Sequence, residues 1–230
     1  MDSISKDILF NVLYLKVGDS IGTGFCINYK EKRYLVTAKH LVEGMDKNAI
    51  DVGILRNGIY EHQIVKAFFH ENENVDIVVL QATLSKTMCG IFITDNQPQL
   101  CLGQELYFAG FPFGLYPKNY SLNEGYPIPF VKHAYLSSSR SEAGYTHLWL
   151  DGINNPGFSG GPVIYTVLNK LNGRFFHCLA GVICSYRYDE KPIYDKNTGD
   201  ITDYVYRENS GIVNAHGYIN IVDIIEKNNL

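Results

Sequence analysis

Asn154-Asn155-Pro156-Gly157-Phe158-Ser159-Gly160-Gly161-Pro162 is the stretch on which the reading of this chain turns. A single hydroxyl is ringed by glycines and prolines, and the apolar run Val163-Ile164-Tyr165 follows directly. Glycine at three of these positions lets the backbone turn sharply and leaves no side chain beside the serine. Plain loops ahead of strands can look the same. The stretch alone leaves an even choice between a surface turn and a reactive serine.

Working outward, the 230 residues hold 46% hydrophobic and 19% charged side chains, the balance of an ordinary globular chain and not of a disordered one. Seventeen Tyr and twelve Phe, with many Val, Ile and Thr, favour strands. A net charge of −4 provides no polybasic surface, so neither nucleic acid nor a membrane is an expected partner. No apolar run approaches the ~18 residues of a spanning helix. The start, Met1 to Asp7, is charged and leads into apolar residues, but Asp2, Asp7 and Asn11 interrupt it and no small-residue cleavage site follows. A first strand over residues 8–17 is expected, not a leader. Five cysteines (Cys26, Cys89, Cys101, Cys178, Cys184) form no C-x-x-C pair, which argues against a disulfide framework and against zinc. Reduced thiols in a cytoplasmic protein, with no metal and no cofactor, are the expectation.

Short β-rich runs separated by turns fill the chain: residues 21–27, 33–38, 51–55, 59–69, 75–80, 105–110, 131–137, 147–150, 162–168 and 175–184. Arg56-Asn57-Gly58 and Asn172-Gly173 read as hairpin turns. Such spacing predicts an all-β barrel or sandwich architecture. A polar break at residues 95–99 divides the chain into two β-rich halves, 1–95 and 96–230. Residues 115–130 read as an ordered loop, 187–209 as a charged surface excursion, and 218–227 as a short closing helix.

Acyl transfer by serine requires a base for the hydroxyl proton, an acid that orients the base, and backbone donors for the oxyanion. His40 closes the β-run Leu35-Val36-Thr37-Ala38-Lys39, Asp76 opens the apolar run Ile77-Val78-Val79-Leu80, and Ser159 sits in the glycine turn with the N–H groups of Gly157 and Ser159 beside it. A single histidine or a single strand-edge aspartate is usually structural; the three in this order and at barrel-sized spacing are not ordinary.

On these residues the chain resembles the chymotrypsin-fold (trypsin-like) serine peptidases, whose triads run His, Asp, Ser, and most of all the disulfide-free bacterial branch with the HtrA-type proteases. Six blocks carry the resemblance: Gly22-Thr23-Gly24-Phe25, Val36-Thr37-Ala38-Lys39-His40, Asp76-Ile77-Val78-Val79-Leu80, Leu102-Gly103-Gln104-Glu105-Leu106, Gly110-Phe111-Pro112-Phe113-Gly114, and Asp151 through Pro162. The resemblance implies two six-stranded antiparallel β-barrels with a short C-terminal helix, residues 1–95 carrying His40 and Asp76 and residues 96–230 carrying Ser159 and the pocket. It implies a serine endopeptidase acting on protein or peptide through His40, Asp76 and Ser159, with Gly157 and Ser159 as the oxyanion hole.

By the same resemblance Ile153 falls at the base of the primary pocket, Cys184-Ser185-Tyr186 forms the strand that pairs with substrate, and His216 falls near the opposite wall. An apolar Ile153 argues for cleavage after a small or medium apolar residue. Phe158 stands where zymogen-activated relatives carry an acid, so maturation by N-terminal cleavage is not expected, and no PDZ module follows within residue 230. A regulatory partner protein is one expectation that follows. A catalytically silent binding scaffold on the same fold is the alternative reading.

Overall fold

The computed structural model describes residues 4–84, 91–93, 97–117, 120–142, 144–169 and 173–230. Six strands form the first ring: β1 (Val12–Val17), β2 (Ser20–Tyr29), β3 (Lys32–Thr37), β4 (Ile50–Arg56), β5 (Ile59–Phe69) and β6 (Val78–Gln81). Their order is β1-β4-β5-β6-β3-β2, and antiparallel pairing of β2 with β1 closes the ring. The two-residue strand β7 (Ile91–Phe92) adds to β2 from outside. A second antiparallel barrel closes in the order β10-β13-β12-β11-β8-β9. Its strands are β8 (Glu105–Gly110), β9 (Phe130–Glu142), β10 (Tyr145–Asp151), β11 (Pro162–Asn169), β12 (Arg174–Tyr194) and β13 (Ile201–Gly217). The all-β, two-barrel expectation is met. Cys89, Asn172 and residues 95 and 96 of the expected break lie outside the described residues.

Local chemistry explains where elements begin. Asn57 and Gly58 both have positive φ, 51° and 78°, as a two-residue hairpin turn between right-twisted strands requires. The expected single strand over residues 8–17 is divided: a helical turn α1 (Lys6–Leu9) precedes β1, and Asn11 Nδ2 caps it by donating to the Asp7 carbonyl at 2.5 Å. The run from residue 75 enters its sheet only at Val78, so Asp76 lies in the preceding loop. Residues 187–209 are largely β-structure, not an irregular excursion, because they continue β12 and β13 as one long hairpin arm. The charges that suggest a loop are cross-strand pairs: Arg207 with Glu190, and Lys191 with Glu208.

Among the described residues three apolar clusters hold the molecule. One fills the first ring, around Leu13, Leu35, Val52 and Leu80, and another fills the second barrel, around Phe108, Leu150, Phe158 and Tyr165. The third spans both, joining Phe25, Val36 and Val79 to Phe111, Ile164 and Val182, with the C-terminal helix α2 (Ile219–Lys227) contributing Ile221, Ile224 and Ile225. Helix α2 is tied outward by Lys227 to Glu71 at 2.8 Å and by Glu226 to Lys30 at 2.7 Å, exposed pairs of small energetic weight. Its buried isoleucines therefore do the anchoring. No helix among the described residues is long and apolar enough to cross a membrane.

Ile221 is fully buried, so Ile221→Ala is expected to lower unfolding free energy by about 2–5 kcal/mol in urea titration. A loss under about 1 kcal/mol would show that α2 does not join the barrels.

Candidate active site

Strand β3 ends at Thr37, and a single 3-10 turn, Lys39–Val42, presents His40. The loop before β6 brings Asp76 to meet it. Asp76 Oδ1 accepts the His40 backbone N–H at 2.8 Å, and Oδ2 faces His40 Nδ1 at 2.6 Å. A carboxylate only accepts, so the imidazole proton sits on Nδ1 and the Nε2 lone pair is free to act as a base. The hydrogen bond to Asp76 is the largest influence on His40 and raises its pKa above the ordinary imidazole value, against the opposing effect of burial.

Ser159 lies between β10 and β11, in a loop built from two turns. Asn155-Pro156-Gly157-Phe158 is closed by the Phe158 N–H to the Asn155 carbonyl at 3.3 Å, with Pro at the second position and Gly157 at φ +101°. Proline followed by a positive-φ glycine suits a type II turn. The Pro156 carbonyl accepts the Phe113 N–H at 2.7 Å. A trans peptide sets N–H and C=O on opposite sides, so this bond turns the Gly157 N–H away from Phe113. Phe113 itself has φ +53°, an uncommon backbone for a non-glycine residue, and that hydrogen bond helps hold it. A Cβ at Gly157 would lie 2.2 Å from the Phe111 carbonyl oxygen, which excludes any side chain there.

The amides alternate along the loop. Phe158 N–H and Gly160 N–H are bonded, the latter to the Ile183 carbonyl at 2.8 Å. Among the described residues the N–H groups of Gly157 and Ser159 have no protein acceptor. The Ser159 hydroxyl donates to the Cys184 carbonyl at 3.3 Å, and no hydrogen bond joins it to His40.

What fixes the serine loop to the histidine strand is a seam of buried threonines. Thr23, on β2, donates its N–H to the Ser159 carbonyl at 3.0 Å and its hydroxyl to the Gly157 carbonyl at 2.6 Å. The same hydroxyl accepts the Phe111 N–H at 3.1 Å. Thr37 then donates its hydroxyl to the Thr23 carbonyl at 2.6 Å. Gly160 is pressed into this seam at φ +83°, and a Cβ there would meet the Thr23 carbonyl at 2.1 Å and the Ala38 nitrogen at 2.8 Å. On the other side Phe158 is fully buried, its ring edge-on to Phe108 at 5.0 Å between centroids. Lys132 Nζ lies over that ring, 5.6 Å from its centroid, and donates to the Ile153 carbonyl at 2.6 Å and Asn155 Oδ1 at 2.5 Å. Burial lowers the pKa of this ammonium.

A cleft of about 530 Å³ opens beside Ser159. Cys184, Ser185 and Tyr186 line it, together with Asn154, Asn155, Pro156 and Phe113. The distal wall is Tyr188, Arg207 and Asn209, supplied by the hairpin arm. Burial, with a contribution from Asp76, pushes the Cys184 thiol up to about 12, so it is a neutral wall group.

Two of the expected pocket residues lie outside this cleft. Ile153 does not line this cleft; it is 58% exposed, with its carbonyl held by Lys132. His216 is buried against His147, ring centroids 5.2 Å apart, and lies outside the cleft. Val213 and Ala215 belong to the barrel interior, and the alternation of β13 turns His216 to the other face. Burial and then His147 lower its pKa to about 4, so it stays neutral. Sequence reasoning missed Lys132, Arg207 and Asn209, which have no local motif, and did not give Thr23 and Thr37 a role although both sit in quoted blocks.

Comparison with known proteins places the chain in a family. The sequence model described as "Trypsin-like peptidase domain" matches residues 22–173, well over half of the chain. The chain belongs to that family. Among solved structures, the HtrA-type protease AlgW with tripeptide superposes at TM-score 0.57 and 21% identity, over 96% of this chain and 60% of that one. This chain thus spans less than two thirds of that neighbour. A serine-to-alanine mutant of Rv3671c from M. tuberculosis H37Rv, in its inactive form, gives TM-score 0.52 at 15% identity, over 96% of this chain and 87% of that chain. The MamO protease domain from Magnetospirillum magneticum, in apo form, gives 0.53 at 14%, over 94% and 96%. At such identities these neighbours speak for the fold. Among curated proteins, none matches.

Thr23→Val keeps the side-chain shape but leaves the half-buried Gly157 carbonyl and the buried Phe111 N–H without their partner. Each such group costs about 1–3 kcal/mol, so a loss of about 2 kcal/mol or more in chemical denaturation is expected, with Thr23→Ser restoring most of it. Unchanged stability in Thr23→Val would mean that the seam does not hold the loop.

Proposed function

We propose that the protein is a serine endopeptidase in which Ser159 is the nucleophile, His40 the general base and Asp76 the group that orients it. The observation that carries this reading is the pinned Pro156–Gly157 peptide, which leaves the Gly157 and Ser159 amides without acceptors beside the serine hydroxyl. In the proposed cycle, substrate lies along Cys184–Tyr186 and adds a strand to the β12 edge. The Ser159 hydroxyl turns from the Cys184 carbonyl towards His40 Nε2, which takes its proton as Oγ attacks the scissile carbonyl. The Gly157 and Ser159 N–H groups then meet the developing oxyanion, an interaction worth roughly 10²–10³ in rate per donor. The imidazolium, steadied by Asp76, returns the proton to the leaving amine, and water repeats the sequence on the acyl-enzyme.

Buried Phe158 supports the absence of N-terminal activation. It anchors the serine loop by apolar packing, the task that an acid paired with a freed amine performs in zymogen-activated relatives. Cys26, Cys178 and Cys184 are buried free thiols and Cys101 is an exposed one, which fits a reducing compartment such as the cytoplasm. One observation favours the alternative of a silent scaffold: the Ser159 hydroxyl is bonded to a main-chain carbonyl and not to His40. Hydrogen bonds of this kind commonly form only with substrate present, so the enzymatic reading is preferred.

Ser159→Ala should retain the fold by circular dichroism while peptide hydrolysis falls by on the order of 10⁶; undiminished turnover by the purified variant contradicts the assignment. Only neutral His40 can accept a proton, and its pKa is raised. Activity is therefore lost as pH falls through a value above that of a free imidazole. Asp76→Asn removes the cause, so its acid limb should move to lower pH while kcat drops by about 10⁴. An acid limb unmoved by Asp76→Asn would show that another group titrates.

A further inference from the structure

The sequence predicts an apolar side chain for the cleft beside Ser159, and its walls are indeed more apolar than polar, but they also carry a positive pole. Among its lining residues Arg207 is the one formal charge, and no carboxylate lines it. Arg207 is placed by the arm: its guanidinium lies over the Tyr188 ring at 4.3 Å, and Nε donates to Glu190 Oε1 at 3.1 Å. Glu190 is outside the lining of the cleft. A guanidinium has five donors in a planar fork, and Glu190 engages it at Nε. The Nη groups remain for a second carboxylate.

The amides around the cleft show the same polarity. Asn154 is satisfied at both ends, Nδ2 to the Ser185 carbonyl and Oδ1 from the Asn155 N–H. Asn209 is likewise satisfied, by the Asn154 carbonyl and the Gly211 N–H. Asn155 differs. Lys132 can only donate, so it fixes Asn155 Oδ1 as the group facing it. The Asn155 Nδ2 is then a donor with no protein acceptor among the described residues. Arg207 and Asn155 both line the cleft with donors to spare, Glu190 engaging Arg207 at Nε alone, and no carboxylate is among the lining residues.

We infer that Arg207 is a specificity-determining residue and that the cleft takes an acidic side chain, glutamate or aspartate, at the residue preceding the scissile bond. This rests on the reading of the Ser159 cleft as the substrate site. The arm sets the preference, and it does so from the rim: Arg207 is largely exposed, so its pull on a carboxylate is moderated by water and salt.

The test uses Ser159→Ala protein and two N-acetylated tetrapeptides that differ only in ending with glutamate or glutamine, with binding measured by calorimetry. The glutamate peptide should bind about tenfold tighter, the effect of one moderated charge-assisted hydrogen bond. The ratio should fall towards one in Arg207→Met and at high salt, and rise in Glu190→Gln, which frees the remaining donor. Equal binding of the two peptides, or a ratio unchanged by Arg207→Met, overturns the inference while leaving the proposed function standing. Failure of both peptides to bind overturns the cleft as substrate site, and the inference with it.

Discussion

The hydroxyl of Thr23 is the point on which the site depends. It is fully buried between the barrels, donates to one end of the serine loop and accepts from the turn after β8. Its own main chain binds the Ser159 carbonyl and receives Thr37. Two barrels that meet through an apolar interface can slide, because hydrophobic burial has no direction. Hydrogen bonds supply the direction. The threonine seam ties the strand that leads to His40 to the loop that carries Ser159.

A second constraint shapes the loop from outside. Phe113 accepts an uncommon backbone and in return holds the Pro156 carbonyl, so that the next amide faces the other way. Phe158 fills the barrel core from the same loop. Two adjacent residues thus serve different ends, Gly157 by having no side chain and Phe158 by burying a large one. The loop needs no ion pair and no disulfide to keep its form among the described residues.

Much of this was legible in the sequence. Gly160 and Gly157 read as places with no room for a Cβ, and the contacts around them give the reason. The Val36-Thr37-Ala38 run and the Ile77-Val78-Val79-Leu80 run read as buried strands, and their ends deliver His40 and Asp76. The arm was not legible. Its charges alternate with tyrosines and read as a solvated surface, whereas Glu190 and Arg207, 17 positions apart in the chain, are register partners across the hairpin. Pairing across strands is a property of register, which composition does not carry. The surroundings of Ile153 were not legible for a related reason: the resemblance gives it a position along the chain, while the Lys132 contacts that set this segment come from another strand.

The proposed reaction requires a serine made nucleophilic by its surroundings. The most direct measurement is labelling of the native protein with a fluorophosphonate, followed by mass spectrometry of its peptides. The account predicts one adduct, on Ser159, formed by the folded protein and absent after denaturation or in His40→Ala. An unlabelled Ser159 in the folded wild-type protein, or labelling that survives loss of His40, contradicts it.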